Sequence, residues 1–313
     1  MQVVPASFTV LAELDARSLV ERIEYCGRVC YKSEDRIDDR SAIPFVERII
    51  KHCHNSVLEM GVLTLRVASE DPAQLDDLFA VQPRYLQLDR LDESRLVASG
   101  SVRAFRELYA NHPGCGVIRA MAALLANRHP YFFVDLLPDG GIEFQSGITV
   151  AKMPLAEVDG MAPALKLKHR HLAVKFIVNR AVTHEIVRHR PCAFLQESQR
   201  YCRYSEDKFG GEVSFIRPLF FAEDSAEYRL WRGIMEQTEA VYLKLLETST
   251  PQAARTVLPN SCKTELVVYA SLSQWRHIFR LRTAQAAEPS MREVMIPLEQ
   301  EFGQRFPELF PAS

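Results

Sequence analysis

The segment from His171 to Pro191 constrains the fold of this chain most strongly. HLAVKFIV (171–178) is a continuous apolar run that predicts a buried strand, and the residues after it follow a helical pattern to about Arg188. Pro191 stops that helix, because proline lacks an amide hydrogen and disfavours a helical conformation in the residue before it. The segment therefore predicts a buried strand that leads into a helix, with three donor side chains, Arg188, His189 and Arg190, at the helix end.

Hydrophobic periodicity predicts further helices and a smaller number of strands along the rest of the chain. The predicted fold class is α+β, with more helix toward the C-terminus. The predicted helices lie near residues 16–30, 41–50, 101–111, 116–127, 223–248, 251–256, 262–286 and 289–303. The predicted strands lie at 62–67 and 213–217, with strand-like YFFVDL (131–136) and FQSGITV (144–150).

Net charge and hydrophobic pattern argue against nucleic acids and membranes as binding partners of this chain. A formal net charge of −2 over 313 residues argues against a general nucleic-acid-binding protein, which needs a broad basic excess. No apolar run approaches the ~18 residues of a membrane-spanning helix, and the N-terminus lacks a signal-peptide pattern.

Seven cysteines at scattered spacing predict reduced thiols and a cytoplasmic location. The pairs His52/His54 and His169/His171 lack companion ligands, so no metal site is predicted.

Basic side chains are concentrated between residues 180 and 205, which read RAVTHEIVRHRPCAFLQESQRYCRYS. Guanidinium groups bind phosphate through paired, charge-assisted hydrogen bonds. The alternative is a solvated basic turn whose arginines pair with nearby glutamates. Phosphate binding is favoured for the cluster as a whole, because an apolar strand leads into it and polar donors alternate through it. The cationic residues fall within a sixteen-residue span and are Arg188, His189, Arg190, Arg200 and Arg203.

Arg188-His189-Arg190, seven intervening residues and then Ser198 resemble the signature of the flavin-dependent thymidylate synthases. The flanking HEIVRHR and QESQRYC are also similar to that family. So are HCHNSVLE (52–59), ARTVLPNSCKTELV (254–267) and WRHIFRLRTAQAAEPSMRE (275–293). The resemblance covers about 15–67 and 171–303. It implies a helix-rich α+β fold with a central mixed or antiparallel sheet, whose family domain comprises residues 1–67 and 171–313 and carries an insertion at 68–170.

The resemblance also implies roles at the matching positions. Residues matching flavin-contacting positions are Arg188, His189, Arg190, Cys30, His54, Ser56 and His277. Residues matching nucleotide-contacting positions are Glu185, Glu197, Ser198, Gln199, Arg200, Arg255 and Arg282. Arg282 and Ser198 are the catalytic candidates. Arg282 matches the arginine that lies against the pyrimidine ring, and for Ser198 a phosphate-binding hydroxyl is favoured over a nucleophile because no base lies at motif spacing. The family's sites form between subunits of a homotetramer.

The activity implied is methylation of C5 of a uracil nucleotide, with FAD as cofactor and with NADPH and methylene-tetrahydrofolate as co-substrates. The sequence leaves both dUMP and UMP open as the nucleotide. Ala193, Phe194 and Leu195 stand where many relatives have polar residues. Cys30 stands where serine is common, and Glu288 where histidine is familiar. These differences lie near the expected flavin and nucleotide sites, so they bear directly on the choice of nucleotide.

The sequence leaves open the role of Cys192, the role of the block 68–170 and the possibility of a non-enzymatic function. Cys192, beside the cationic residues, is either a reactive thiol or a small packing residue, and packing is the commoner outcome. The block 68–170 is either a peripheral decoration or a lid or wall for a second substrate. Outside enzymes, the chain is either an inactive relative that binds flavin or nucleotide, or an RNA-binding module, which its near-neutral charge disfavours.

Overall fold

A computed structural model describes residues 1–138, 141–206 and 210–311 and has the predicted α+β fold class. Its strands are β1 (Gln2–Val4), β2 (Ser7–Val10), β3 (Val62–Ser69), β4 (Leu86–Arg90), β5 (Arg95–Ser101), β6 (Ile148–Lys152), β7 (His171–Asn179), β8 (Ala193–Gln196), β9 (Ser214–Ile216) and β10 (Lys263–Ser271). Its helices are α1 (Leu19–Tyr31), α2 (Ala42–Lys51), α3 (Pro72–Ala80), α4 (Val102–Asn111), α5 (Gly116–Arg128), α6 (Leu155–Asp159), α7 (Pro163–His169), α8 (Arg180–Ile186), α9 (Ala226–Leu246), α10 (Pro251–Ala254), α11 (Leu272–Arg282) and α12 (Pro289–Arg305).

One four-stranded antiparallel sheet, in the order β2-β7-β10-β8, carries the segments on which the family resemblance rests. β7 pairs with β10 along its whole length, from His171 opposite Ser271 to Asn179 opposite Lys263. The predicted strand at 171–178 is thus confirmed, and it lies next to β10. The helix after it ends at Ile186, slightly earlier than the predicted end near Arg188.

The predicted helix at 262–286 is wrong in its first third. Lys263–Ser271 forms β10, and the helix begins only at Leu272, where the Ser271 hydroxyl accepts a hydrogen bond from the amide of Gln274. β10 lies between β7 and β8, and nearly all of its residues are buried. A strand buried on both faces shows no alternation of apolar and polar residues, so its pattern does not distinguish it from a buried helix.

A second four-stranded antiparallel sheet, in the order β4-β5-β3-β6, joins β3 to strands of the block 68–170. Two predictions in this block need correction. YFFVDL (131–136) is not a strand, because it begins inside a 3₁₀ helix at Pro130–Phe132 and continues as turns, with Phe132 and Phe133 buried. FQSGITV becomes a strand only from Ile148. The predicted helices near 101–111 and 116–127 are confirmed as α4 and α5.

Helix α1 brings the N-terminal part of the chain to the first sheet. It begins with a capping box in which the Ser18 hydroxyl accepts from the Glu21 amide and the Glu21 carboxylate accepts from Ser18. Gly27 allows close packing, since a Cβ there would lie 2.6 Å from the Phe45 ring of α2. The helix ends at Lys32 in a left-handed conformation with φ of 48°. This turn places Tyr31 and Lys32 beside the Arg188–Tyr201 segment.

A two-stranded parallel sheet of β1 and β9 completes the strand pairings. No helix in the described part of the chain is both long and apolar enough to cross a membrane.

Candidate functional site

The guanidinium of Arg282, the last residue of α11, is held by two residues of the segment after β7. Its Nε donates to Nε2 of His189 at 2.9 Å, and its Nη1 donates to a carboxylate oxygen of Glu185 at 2.5 Å. Its Nη2 donates to the backbone carbonyl of Glu185 at 3.1 Å. Three hydrogen bonds from one planar group fix both the position and the plane of Arg282. We call Glu185, His189, His277 and Arg282 the arginine cluster.

His189 is neutral in this cluster. Its side chain is buried, and burial, together with the charge of Arg282 and the neighbouring ring of His277, lowers its pKa to about 4. The rings of His189 and His277 lie edge to face with centroids 5.9 Å apart. Because Nε2 accepts the hydrogen bond from Arg282, the single ring proton is assigned to Nδ1.

Arg188 and Arg190 flank His189 and are both exposed. Nη1 of Arg190 donates to the carbonyl oxygens of Val187 and His189, and its guanidinium carbon lies 5.7 Å from the ring centre of Phe194. Neither arginine forms an ion pair with any residue that the structure describes. Both guanidinium groups therefore retain free N–H groups that can donate to an anion.

A second group of predicted site residues meets at the C-terminal end of α1. The amide of Ser198 donates to the carbonyl of Cys30 at 3.0 Å. The hydroxyl of Tyr31 lies 3.2 Å from Nδ1 of His54, and its ring packs edge-on against Tyr201 with centroids 5.6 Å apart. The structure thus brings Cys30, His54 and Ser198 together through a backbone contact and through Tyr31 and Tyr201. Neither tyrosine was among the predicted site residues.

Glu197 is buried in an ion-pair network that also holds Ser198 in place. It accepts from the hydroxyl of Tyr204 at 2.7 Å and from Nζ of Lys263 at 3.1 Å. Lys263 also donates to Glu265 at 2.7 Å, and Lys32 donates to the same carboxylate oxygen at 2.6 Å. We call these residues the lysine–glutamate network. It connects the end of α1, strand β10 and the residues before Ser198, and the sequence reasoning missed it.

Among the described residues, no hydrogen bond or ion pair joins the arginine cluster to Gln199, Arg200 or Arg255, which were predicted to contact the nucleotide, or to Ser56, which was predicted to contact the flavin. The Gln199 side chain is buried, and its Nε2 has no hydrogen-bond partner among the described residues. The guanidinium carbon of Arg200 lies 5.3 Å from the ring centre of Tyr201. Arg255 opens a 3₁₀ helix at Arg255–Val257, and Ser56 is exposed. Across the described ranges no ion pair involves Arg255.

A cleft of about 900 Å³ opens beside the Arg188–Tyr201 segment. Arg190, Cys192 and Phe194 line one side, and residues of the block 68–170 line another. Burial outweighs the nearby charge of Arg190 and raises the pKa of Cys192 to about 12. The thiol is therefore protonated at neutral pH, which favours the packing interpretation of Cys192. Among the described residues, no group of three or more His, Cys, Asp or Glu side chains is placed to hold a metal ion.

Comparison with known proteins shows what this part of the chain is similar to. Residues 166–308 match the family model described as "Thymidylate synthase complementing protein". The Flavin-dependent thymidylate synthase of Pyrococcus furiosus is 32% identical over 128 residues, which are 41% of this chain and 52% of that protein. The chain thus resembles the flavin-dependent thymidylate synthases, and the match to the family model covers residues 166–308. This matched region contains the whole arginine cluster and the lysine–glutamate network apart from Lys32.

Other flavin-dependent thymidylate synthases match to a similar extent. That of Corynebacterium efficiens is 30% identical over 149 residues, which are 42% of this chain and 57% of that protein. That of Mycolicibacterium gilvum is 30% identical over 145 residues, which are 40% of this chain and 56% of that protein. The chain thus spans about half the length of the curated relatives it matches.

Proposed function

We propose that this chain methylates C5 of a uracil nucleotide, either dUMP or UMP, with methylene-tetrahydrofolate as the carbon donor and NADPH as the reductant of bound FAD. The observation that carries the proposal is the contact of Arg282 with Glu185 and His189, because it joins the FRLR segment to the Arg-His-Arg motif. Relatives named flavin-dependent thymidylate synthases support the same reaction, and the family-model match at 166–308 includes all three residues.

Arg282 is suited to polarising a uracil ring. A guanidinium has five N–H groups, of which Glu185 and His189 take three, so two remain for a carbonyl oxygen of the ring. Arginine stays charged at neutral pH and stabilises negative charge on that oxygen as C5 becomes nucleophilic. His189 is neutral and accepts a hydrogen bond from Arg282. It therefore fixes the orientation of the guanidinium without placing a second charge beside it.

The nucleotide phosphate is assigned to the segment that begins at Ser198. The Ser198 hydroxyl and the guanidinium of Arg200 are donors on this segment. The buried Nε2 of Gln199 is a third donor, and its lack of a partner among the described residues fits an anion. Arg255 would approach from the Arg255–Val257 helix, and Glu197 would position the segment through Lys263 and Tyr204.

The exposed guanidinium groups of Arg188 and Arg190 fit the diphosphate of FAD, since each has free N–H donors and lacks a carboxylate partner in the described part of the chain. FAD, when bound and reduced by NADPH, would supply the hydride that completes the methyl group. The residues proposed to hold it are Arg188, His189, Arg190, Cys30, His54, Ser56 and His277. Their contribution is to bind and orient the reactants, as in other positioning-based catalysis.

We also propose that subunits of a homotetramer share the site and that residues 68–170 are an insertion into the family domain formed by 1–67 and 171–313. No hydrogen bond or ion pair between described residues joins Arg255 or Ser56 to the arginine cluster, which supports completion of the site by a partner subunit. The family match begins at residue 166, close to the proposed end of the insertion, which supports that boundary.

The test is to incubate the purified chain with FAD, NADPH and methylene-tetrahydrofolate, offer dUMP and UMP in separate reactions, and analyse the nucleotides by mass spectrometry. Arg282→Ala should abolish formation of the methylated nucleotide. Arg276→Ala is the control, because Arg276 is exposed on the same helix and lies outside the arginine cluster. Absence of methylated product from both nucleotides with the wild-type chain would overturn the proposal.

A further inference from the structure

The cleft beside the Arg188–Tyr201 segment has one wall that comes from the block 68–170. Arg84 and Tyr85, just before β4, line that wall, and Arg190 and Phe194 line the wall formed by the signature segment. At about 900 Å³ the cleft lies within the usual range for small-molecule and cofactor sites, roughly 300–1,000 Å³. Both walls therefore face a space that a cofactor or co-substrate can occupy.

The charged side chains that line the cleft are mostly cationic. They are Arg84, Arg103, Lys168, Arg190, Glu59 and Glu107. Arg103 pairs with both carboxylates, at 2.6 Å to Glu59 and at 2.6 Å to Glu107. Lys168 pairs with Asp89, which lies behind the lining. Both acidic side chains of the cleft are thus ion-paired with Arg103. Burial raises the pKa of Glu59, and the charges of Arg103 and of the more distant Arg190 oppose that rise.

Two guanidinium groups remain, one on each wall. Neither Arg84 nor Arg190 has an ion-pair partner within the described ranges 1–138, 141–206 and 210–311. Beside Arg84, the ring of Tyr85 is 68% exposed, while Phe194 on the other wall contributes an aromatic face. Two arginines without carboxylate partners, beside the exposed Tyr85 and the half-buried Phe194, suit a ligand that carries an anionic group and a planar ring. A guanidinium binds the anionic group, and an aromatic face stacks on the ring.

We infer that Arg84 and Tyr85 are ligand-binding residues, and that with Arg190 they hold a phosphate- or carboxylate-bearing ligand with a planar aromatic ring. The inference rests on the proposed function, which, besides the nucleotide placed at the Ser198 segment, requires three ligands of this chemistry: FAD, NADPH and methylene-tetrahydrofolate. The block 68–170 then forms a wall of the site and adds binding residues that the Arg-His-Arg motif does not supply.

The test compares Arg84→Ala and Tyr85→Ala with the wild-type chain by equilibrium titration with FAD, NADPH and methylene-tetrahydrofolate, each added separately. Arg84→Ala should weaken binding of at least one ligand by about tenfold, the effect of losing one charge-assisted hydrogen bond. Tyr85→Ala should weaken the same ligand. The ligand affected identifies which of the three occupies the cleft.

Matched controls come from the same block. Phe144 is also 68% exposed, and Arg128 is an exposed arginine; neither lines the cleft. Phe144→Ala and Arg128→Ala should bind all three ligands as the wild type does, and thermal unfolding of all four variants reports whether each is folded.

Two results would overturn the inference: unchanged binding of every ligand by folded Arg84→Ala and Tyr85→Ala variants, or no binding of any of the three ligands by the wild type. Normal wild-type binding without methylation of dUMP or UMP would overturn only the proposed function. The two failures are therefore distinguishable.

Discussion

Replacing Glu265 with glutamine tests whether the lysine–glutamate network holds the parts of the site together. One carboxylate oxygen of Glu265 lies 2.6 Å from Nζ of Lys32 at the end of α1 and 2.7 Å from Nζ of Lys263 on β10. The Glu265 side chain is only 8% exposed. Burial raises its pKa, but the lysine charges outweigh burial and lower the pKa to about 2 from the usual 4.5. Glutamine preserves the shape and removes the charge.

The expected loss of stability in Glu265→Gln follows from the lowered pKa of Glu265. Each pKa unit corresponds to about 1.4 kcal/mol, so the fall from 4.5 to about 2 corresponds to about 3 kcal/mol in favour of the ionised form. Glu265→Gln should therefore lower the free energy of unfolding at pH 7 by about 3 kcal/mol. This contribution is complete above about pH 4.5, where the carboxylate of the unfolded chain is ionised, and is lost as the pH falls toward 2.

Urea unfolding followed by circular dichroism measures the change. The control is Glu236→Gln, because Glu236 forms an exposed pair with Arg232 on α9, and such pairs contribute about 0.5 kcal/mol or less. The difference between wild type and Glu265→Gln should stay nearly constant from pH 7 to about pH 4.5 and narrow as the pH falls from there toward 2. Equal unfolding midpoints at pH 7, or a difference that does not change with pH, would refute the reasoning.

Three further predictions concern the packing and protonation of the site. His189 has a pKa of about 4 against 6.5 in the unfolded chain, so wild type should lose up to about 3 kcal/mol of stability between pH 6.5 and 4. His189→Asn should lack that loss in urea titrations, and an identical pH dependence would contradict it. Gly27→Ala places a Cβ 2.6 Å from the Phe45 ring and should destabilise the fold by about 1–3 kcal/mol in thermal unfolding; a wild-type melting curve would disprove the tight contact. Cys192→Ala should retain methylation activity because the thiol is protonated at neutral pH, and its loss would favour a reactive thiol.

The helices and strands that the sequence predicted best either have one buried and one exposed face or are bounded by a clear change in the hydrophobic pattern. The helix at 223–248 corresponds to α9, which runs from Ala226 to Leu246 and buries Tyr228, Met235, Tyr242 and Leu246 on one face. Strand β7 was predictable because a continuous apolar run of that length precedes a helical pattern. Strand β10 was misassigned because burial on both faces removed its periodicity, and only its pairing with β7 and β8 reveals it.

The sequence predicted which segments form the site, but it did not predict which side chains of those segments contact each other. Arg282 lies 93 residues after His189 in sequence, and their hydrogen bond depends on where α11 leaves the first sheet. The resemblance selected both residues, yet their geometry and the neutral state of His189 follow only from the fold. Arg84 and Tyr85 belong to no motif, and only the fold shows that they line the same cleft as Arg190.

The central claim is tested most directly by following the donor carbon. Methylene-tetrahydrofolate labelled with carbon-13 in its methylene group is supplied with NADPH and either dUMP or UMP, with and without FAD, and the nucleotide is analysed by mass spectrometry. The proposed function predicts a labelled methyl group on C5 of one of the two nucleotides only when FAD is present. An unlabelled nucleotide in every reaction, or labelling that does not depend on FAD, would contradict it.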